Sequence, residues 1–368
     1  MFLLKRQRTM RQWMTGIALG IAGCAISAAL IVPAPAVAQS ASTSSKSAKS
    51  SKPAAKPAAR KQSATAPRKT QQASRSIRTQ RVVAGKNRRG ARAQRVAYAP
   101  PRPSIGQLQG LRTDDPLDLH SSVALITDQA TGEVLFAKND RAVLPIASIT
   151  KLMTSLLVVE ARQPMDEILT ISDQEIDTEK GTSSRLRIGA QLSRADAMHL
   201  ALMNSENRAA HVLGRSYPGG LPAFIEAMNA KAALLGMTQT RFVDPTGLSP
   251  KNVSSARDLT LLMKAAYQHP ELREYSTSPS YAVAVLGRNT QFGNTNRLVH
   301  NPEWQIGLQK TGYISEAGKC LVMQALVQGR QVLMVFLDST GKYSRLGDAQ
   351  RVRTWLESRN TAAGGTTS

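Results

Sequence analysis

The distribution of charge along the chain limits what each part of it can fold into. No Asp or Glu occurs before Asp114, while residues 39–113 hold 18 Lys and Arg and few large apolar side chains. Such a segment cannot bury enough surface to offset the entropy that ordering would cost. From residue 114 onward the chain holds 26 basic and 25 acidic residues. We therefore predict a disordered basic segment over residues 39–113, one globular domain over residues 114–358 and a flexible tail over residues 359–368.

Residues 1–38 have the layout of an export signal. A basic start is followed by an apolar run over residues 14–32 and by Ala36-Val37-Ala38, a small-residue pattern typical of signal-peptidase sites. We predict cleavage after Ala38, which places the mature protein in the periplasm. Two alternatives stay open, because the apolar run is close to the minimum of about 17 residues that spans a bilayer and because residues 21–24 resemble a lipoprotein box.

β-prone runs lie at both ends of the predicted domain, and helical patterns lie between them. The predicted strands are 123–126, 134–136, 305–313, 320–327 and 331–337. The predicted helices are 147–161, 194–213, 222–235, 256–268 and 344–358. This order indicates one antiparallel sheet that is assembled from the two ends of the domain, covered by helices, and interrupted by a helical insertion.

Ser148 and Lys151 form the first candidate catalytic pair. They stand three residues apart at the start of a predicted helix, so the hydroxyl and the amine share one face within hydrogen-bonding reach. A serine nucleophile needs such a base. The spacing alone is weak support, because Ser339 and Lys342 have the same spacing where Gly341 indicates a turn.

Two further short patterns follow the first one along the chain. Ser205-Glu206-Asn207 lies in the helical region, and Lys310-Thr311-Gly312 lies on the strand before the second predicted hairpin. Each pattern alone more often has a structural role. Their order on helix, helix junction and strand is that of the active-site triplet of penicillin-binding proteins and class A β-lactamases. Together they predict a catalytic site.

Longer segments around these patterns are more specific than the patterns themselves, namely residues 146–154, 205–220, 242–248 and 310–313. With them, residues 118–355 resemble the D-alanyl-D-alanine peptidases among the low-molecular-mass penicillin-binding proteins, and most closely the endopeptidase branch. The resemblance implies an α/β (α+β) fold of the β-lactamase and DD-peptidase type. It also implies a serine peptidase that hydrolyses D-alanyl peptide bonds in the peptide stems of peptidoglycan.

The resemblance implies a catalytic role for four residues. Ser148 attacks the D-alanyl carbonyl and forms an acyl-enzyme. Lys151 takes the proton of the hydroxyl as a neutral amine, and we expect burial and the charge of Lys310 to lower its pKa. Ser205 relays a proton to the leaving amine, and Asn207 holds Lys151 and the substrate amide.

The resemblance also implies a substrate-binding strand. Lys310, Thr311, Gly312 and Tyr313 lie along it, and the backbone N–H groups of Ser148 and Tyr313 form the oxyanion hole. We expect Thr311 and Arg345 to bind the carboxylate beside the scissile bond. The alternative for Arg345 is a surface arginine beside Asp348.

The motifs leave several functions open. An endopeptidase and a carboxypeptidase share these motifs, because a carboxylate lies beside the leaving nitrogen in both substrates. A β-lactamase is disfavoured, since the helical insertion holds no Glu-x-x-Leu-Asn segment to activate water; we expect β-lactams to act as covalent inhibitors. A catalytically silent wall-binding protein is a third possibility. We expect no metal, no cofactor and no nucleic-acid partner.

The basic segment over residues 40–105 has two interpretations. It is either a solvated spacer or a tether to an anionic wall or membrane surface.

Overall fold

The computed structural model describes residues 103–364, with side chains as far as Arg359. The predicted signal peptide and nearly all of the predicted basic segment lie outside these residues. Within the described range, no helix is both long enough and apolar enough to cross a membrane.

Strands and helices are numbered along the chain. The helices are α1 (Ile105–Leu108), α2 (Thr150–Glu160), α3 (Arg194–Met203), α4 (Asn207–Arg215), α5 (Gly220–Leu234), α6 (Ala256–Tyr267), α7 (Pro270–Thr277) and α8 (Ser344–Gly364). The strands are β1 (Ser121–Asp128), β2 (Val134–Lys138), β3 (Leu144–Pro145), β4 (Ile168–Thr170), β5 (Gln191–Ser193), β6 (Val253–Ser254), β7 (Ser280–Val285), β8 (Arg288–Gly293), β9 (Gln305–Ile314), β10 (Gly318–Val327) and β11 (Arg330–Ser339).

The central sheet has five antiparallel strands in the order β2-β1-β11-β10-β9. Strand β1 pairs with β11 from Ser121 opposite Ser339 to Asp128 opposite Val332. The first and last strands of the domain are therefore neighbours, which confirms the sheet predicted from the two ends of the domain.

Side chains of the sheet alternate between two apolar layers, as the two-residue period of a strand requires. Leu333 and Val335 of β11 belong to the larger core, which includes α2, α3, α4 and α6. Met334 and Phe336 face the opposite layer, where they join residues of α8. Helices thus cover both faces of β11, and most of the helical insertion packs on one side.

Helix α2 passes through the larger core. Every residue from Thr150 to Val158 is buried, which fits a helix that is apolar on all faces. A 3₁₀ turn over Ala147–Ile149 precedes it and carries Ser148.

The prediction of one continuous helix over residues 194–213 is wrong. Helix α3 ends at Met203, α4 begins at Asn207, and Ser205 between them has a left-handed φ of +62°. Backbone N–H groups of Asn204 and Glu206 both donate to the carbonyl of Leu200, which closes the end of α3. Asn and Ser favour such breaks because their side chains compete for backbone hydrogen bonds. The sequence analysis also missed α7 and the β7–β8 hairpin.

The ordered domain begins earlier than residue 114. Helix α1 lies inside the segment for which the composition predicts disorder, and Ser104 and Gln107 form a capping box at its start. The Gly106 N–H donates to the Asp338 carboxylate at 2.8 Å. A Cβ atom at Gly106 would lie 2.5 Å from the Cβ atom of Ser122, so this turn docks closely on β1. At the other end, α8 extends to Gly364, beyond the predicted start of the flexible tail.

Candidate active site

Ser148 and Lys151 meet at the start of α2. The Lys151 amine donates to Ser148 Oγ at 2.8 Å, to Asn207 Oδ1 at 2.7 Å and to the Thr246 carbonyl at 2.6 Å. Asn207 Oδ1 and the Thr246 carbonyl can only accept hydrogen bonds. A neutral amine keeps its two N–H bonds on these acceptors and directs its lone pair at the Ser148 hydroxyl.

The environment of Lys151 favours the neutral amine. Burial lowers the pKa of this fully buried side chain to about 7, although the carboxylates of Asp244 and Glu206 raise it. The effect of burial agrees with the prediction. The expected repulsion between the two amines is present, because the charge of Lys151 lowers the pKa of Lys310. Burial and the charges of Lys151 and Arg345 lower the pKa of Lys310 well below its ordinary value.

The junction between α3 and α4 brings a second serine and an amide to the same place. Ser205 lines the cleft in which Ser148 lies. Asn207, the first residue of α4, accepts from Lys151 and donates from Nδ2 to Thr182 Oγ1 at 3.0 Å. The side-chain amide thus joins the buried lysine to the loop before β5.

The loop that follows Phe242 supports Lys151, and the sequence analysis gave it no role. The Asp244 carboxylate accepts from the backbone N–H groups of Thr246 and Gly247, which orients the Thr246 carbonyl toward Lys151. Gly247 has a φ of +79°, and a Cβ atom there would lie 1.9 Å from the Ala147 carbonyl oxygen. The Asp-Pro-Thr-Gly sequence, typical of a tight turn, was the available signal.

Strand β9 forms the opposite wall of the site. Lys310 is fully buried and its amine donates to the Thr311 carbonyl at 2.8 Å. Thr311 Oγ1 shares a 2.6 Å hydrogen bond with Thr295 Oγ1. A Cβ atom at Gly312 would lie 3.2 Å from the backbone nitrogen of Ser148, so glycine lets the strand pass against the start of α2.

The predicted site residues surround one cleft with a volume of about 480 Å³. Lys151 and Lys310 are buried beside it. Its lining includes Ser148, Ser205, Asn207, Thr311, Gly312, Tyr313 and Arg345.

Arg345 lines the cleft, and the ion pair of Asp348 is with Arg351 at 3.0 Å. Ser339 lies outside this lining and donates to Ser344 Oγ at 2.6 Å.

Residues that the sequence analysis did not single out also line the cleft. Lys180 forms a 2.6 Å ion pair with Glu316, which follows β9. Thr182 and Thr295 lie on opposite walls. Within the described part of the chain, no group of three or more His, Cys, Asp or Glu side chains is placed to hold a metal ion.

A cleft serine in contact with a buried lysine, on an antiparallel sheet covered by helices, defines the class of serine acyl-transfer enzymes that use lysine as base. The sequence matches the D-alanyl-D-alanine carboxypeptidase family over residues 110–341, and the chain belongs to this family.

Two relatives match most of the domain. The D-alanyl-D-alanine endopeptidase of Pseudomonas aeruginosa is 51% identical over 248 residues, which cover 67% of this chain and 80% of the relative. The D-alanyl-D-alanine endopeptidase of Escherichia coli is 44% identical over 265 residues, covering 71% of this chain and 84% of the relative.

Solved structures support the same fold. The Streptomyces K15 DD-transpeptidase superposes with a TM-score of 0.61 at 24% identity, covering 64% of this chain and 97% of that one. A D-alanyl-D-alanine carboxypeptidase of Mycobacterium tuberculosis superposes with a TM-score of 0.60 at 22% identity, covering 67% of this chain and 94% of that one. The comparisons confirm the predicted fold class and family, and the protein is a serine-type D-Ala-D-Ala hydrolase.

Proposed function

We propose that the protein is a DD-endopeptidase that cleaves D-alanyl bonds in the peptide cross-links of peptidoglycan through an acyl-enzyme on Ser148. The observation that carries this proposal is the 2.8 Å contact between Ser148 Oγ and Lys151, whose pKa burial lowers to about 7. Two relatives that match most of the domain bear the name endopeptidase, which supports cross-links as the substrate.

In the acylation step, Ser148 Oγ attacks the D-alanyl carbonyl carbon while its proton passes to the neutral amine of Lys151. The bond from that carbon to the leaving nitrogen then breaks. Ser205, which lines the cleft, relays the proton from Lys151 to the leaving amine, so that Lys151 is neutral again before the second step. In the second step, water attacks the ester and its proton restores the Ser148 hydroxyl.

Two backbone N–H groups, of Ser148 and Tyr313, are our candidates for stabilising the negative oxygen in both steps. Gly312 supports this pairing because its small size lets β9 approach the Ser148 nitrogen. The Ser148 N–H also belongs to the turn that starts α2, where the first backbone N–H groups have no hydrogen-bond acceptor within the helix.

Arg345 and Thr311 are our candidates for binding the carboxylate beside the leaving nitrogen. Both line the cleft, and Arg345 Nε is buried without a hydrogen-bond partner in the described structure. A cross-link to the D-centre of a diamino acid and a terminal D-alanine both present this carboxylate. We therefore expect some carboxypeptidase activity beside the endopeptidase activity.

Digestion of purified cross-linked muropeptide dimers, with products identified by mass spectrometry, tests the proposal. The wild type should release monomers, and Ser148→Ala should release none. Ser339→Ala is the matched control, because Ser339 and Lys342 repeat the spacing outside the cleft; it should cleave like the wild type. Removal of terminal D-alanine without any monomer release would show a carboxypeptidase instead.

Labelled penicillin tests the acyl-enzyme independently of cross-link preference. We expect the strained β-lactam amide to acylate Ser148 and to be released slowly, so that label stays on the wild type and on Ser339→Ala. Label on Ser148→Ala at the wild-type level would contradict the mechanism. Rapid steady-state hydrolysis of the drug would favour a β-lactamase.

Export is part of the proposed function, because peptidoglycan lies outside the cytoplasm. Residues 1–38 carry the predicted signal, with cleavage after Ala38. Sequencing the N-terminus of the mature protein tests this: Gln39 at the start supports it, and an intact N-terminus would indicate a retained anchor.

A further inference from the structure

A second groove, with a volume of about 480 Å³, lies between the loop over residues 181–190 and the β7–β8 hairpin. Its lining includes Ser184, Arg185, Arg187, Leu286, Arg288 and Thr290, and we call it the arginine groove. None of the described residues that line it is acidic. This concentration of positive charge contrasts with residues 114–368, where basic and acidic residues nearly balance.

The three arginines of the groove are not neutralised by carboxylates. Arg185 is held in place, since its guanidinium lies 3.9 Å from the Phe292 ring centre and donates to the Gln291 carbonyl at 2.6 Å. Arg187 and Arg288 are exposed, and the described structure gives their side chains no ion pair and no hydrogen bond. Guanidinium groups on both walls are suited to bind planar anions such as carboxylates.

The loop wall of the groove continues into the active-site cleft. Thr182, at the start of this loop, lines the cleft and accepts from Asn207. Further along the loop, the Leu186 carbonyl accepts from Arg208, which follows Asn207 on α4. The loop that carries Arg187 is therefore fastened to the helix that carries a candidate catalytic residue.

The hairpin wall continues into the cleft as well. Strand β8 carries Arg288 and Thr290 and ends at Gly293, two residues before Thr295. Thr295 lines the cleft and bonds Thr311 at 2.6 Å. The two chain segments that wall the arginine groove therefore also contribute Thr182 and Thr295 to the cleft, so a ligand that leaves the cleft along these segments is directed toward the arginines.

We propose that the arginine groove is a subsite for the free carboxylates of the peptide stem that extends from the scissile bond. The ligand class is an anionic peptide, too long for the cleft alone. Leu286 and Val285 add apolar surface for the aliphatic parts of such a stem. This inference rests on the proposed function and adds the part of the substrate that the cleft does not hold.

The test uses the double variant Arg187→Gln/Arg288→Gln in the full-length protein, and leaves Arg185 unchanged because it anchors the loop. For muropeptide dimers, KM should rise about tenfold, the effect expected for the loss of a charge-assisted hydrogen bond. Acylation by labelled penicillin, which fills only the cleft, should stay within about twofold of wild type. The matched control Arg162→Gln/Arg241→Gln removes two exposed arginines that line neither the groove nor the cleft, and should change neither value.

Blocking the stem carboxylates as amides adds a second readout. Amidation also removes the carboxylate beside the scissile bond, which both proteins bind in the cleft. The two losses are therefore compared in a thermodynamic cycle, in which amidation should raise KM more for the wild type than for the double variant. The subsite would be overturned if amidation raised KM equally in both proteins, or if the double variant cleaved dimers like the wild type. It would also be overturned if the double variant lost penicillin acylation in parallel with dimer cleavage.

A wild type that does not cleave dimers would refute the proposed function and not the groove. In that case, calorimetric titration measures the affinity of intact dimers for Ser148→Ala, with and without the two arginine substitutions. This comparison tests binding in the arginine groove independently of cleavage. Equal affinities of these two proteins would overturn it, and weaker binding by the triple variant would support it.

Discussion

At the scale of single residues, the buried amine of Lys151 is our candidate for the base of this cleft. The Lys151 amine has three hydrogen-bond contacts, of which two are pure acceptors and the third is the candidate nucleophile. Burial in the core removes the water that would stabilise its charge. The same contacts that hold the side chain in place therefore leave its lone pair directed at Ser148.

The first prediction at this scale concerns pH. An ordinary lysine, with a pKa of 10.5, stays protonated at neutral pH, whereas Lys151, with a pKa of about 7, is mostly neutral above pH 7. The acylation rate should fall about tenfold per pH unit below 7 and level off above it. Stopped-flow labelling with penicillin from pH 5 to 9 measures this. A flat profile would rule out this lysine as the base, and a rate that still rises at pH 9 would show that its pKa is not lowered to about 7.

The second prediction replaces the base and keeps its charge. Lys151→Arg should lower acylation by about 10²–10⁴-fold, because a guanidinium does not release its proton near neutral pH. Lys342→Arg, in the second Ser-x-x-Lys sequence, is the control and should label like the wild type. Activity of Lys151→Arg within a few-fold of wild type would assign the proton transfer to another group.

At the scale of elements, the site forms where several elements meet. It combines the start of α2, the α3–α4 junction, strand β9 and the loop over residues 244–249. Glycines allow the close approaches, since Gly312 lies against the Ser148 nitrogen and Gly247 against the Ala147 carbonyl. The distance between Ser148 and Lys151 is therefore sensitive to backbone changes in neighbouring elements.

The element-scale prediction tests this close approach. Gly247→Ala adds a Cβ atom 1.9 Å from a backbone oxygen at a φ of +79°, so we expect a lower melting temperature and at least tenfold slower acylation. Gly236→Ala is the matched control, because its φ is +77° and no atom lies within 4 Å. Its free energy of unfolding should fall only by the backbone strain of about 1–2 kcal/mol, and its acylation rate should not change. Similar acylation by both variants would show that the loop does not position Lys151.

At the scale of the whole molecule, one end of the central sheet links α1 to the cleft. A row of paired residues crosses four strands, from Tyr313 through Lys319 and Ser339 to Ser121. Three strand spacings amount to about 14 Å. Helix α1 docks beside this row through Asp338, at the end of the sheet where Tyr313 lines the cleft. Of the two interpretations of the basic segment, the tether predicts that the cleft is held near an anionic surface, whereas the spacer predicts no such attraction.

The whole-molecule prediction concerns residues 40–102, and it keeps α1 so that the domain stays intact. Deletion should leave cleavage of small soluble muropeptides unchanged, because tethering adds effective concentration and no new contact in the cleft. It should lower retention on isolated sacculi or anionic vesicles and flatten the salt dependence of that retention, since charge attraction is screened over about 8 Å at physiological salt. Equal sedimentation of both proteins with sacculi at low salt would make the segment a spacer.

The sequence by itself determined the elements whose pattern is local. The strands at both ends of the domain are nearly continuous apolar runs, and α2 is apolar on every face, so burial follows directly from residue order. The three motifs predicted Ser148, Asn207 and Lys310 as site residues from residue order, and the structure places Ser148 and Asn207 in the lining of one cleft.

Only the tertiary structure decided what depends on contacts between distant segments. Ser205 interrupts a helix that the neighbouring residues favour. Helix α1 is held by the Asp338 carboxylate, more than 200 residues away. The Thr246 carbonyl is the third hydrogen-bond partner of the Lys151 amine. The lowered pKa of Lys151 likewise follows from the burial of its amine by the folded core. Residue order sets local conformation, whereas burial and long-range hydrogen bonds exist only after the chain has folded, and these set the pKa of Lys151.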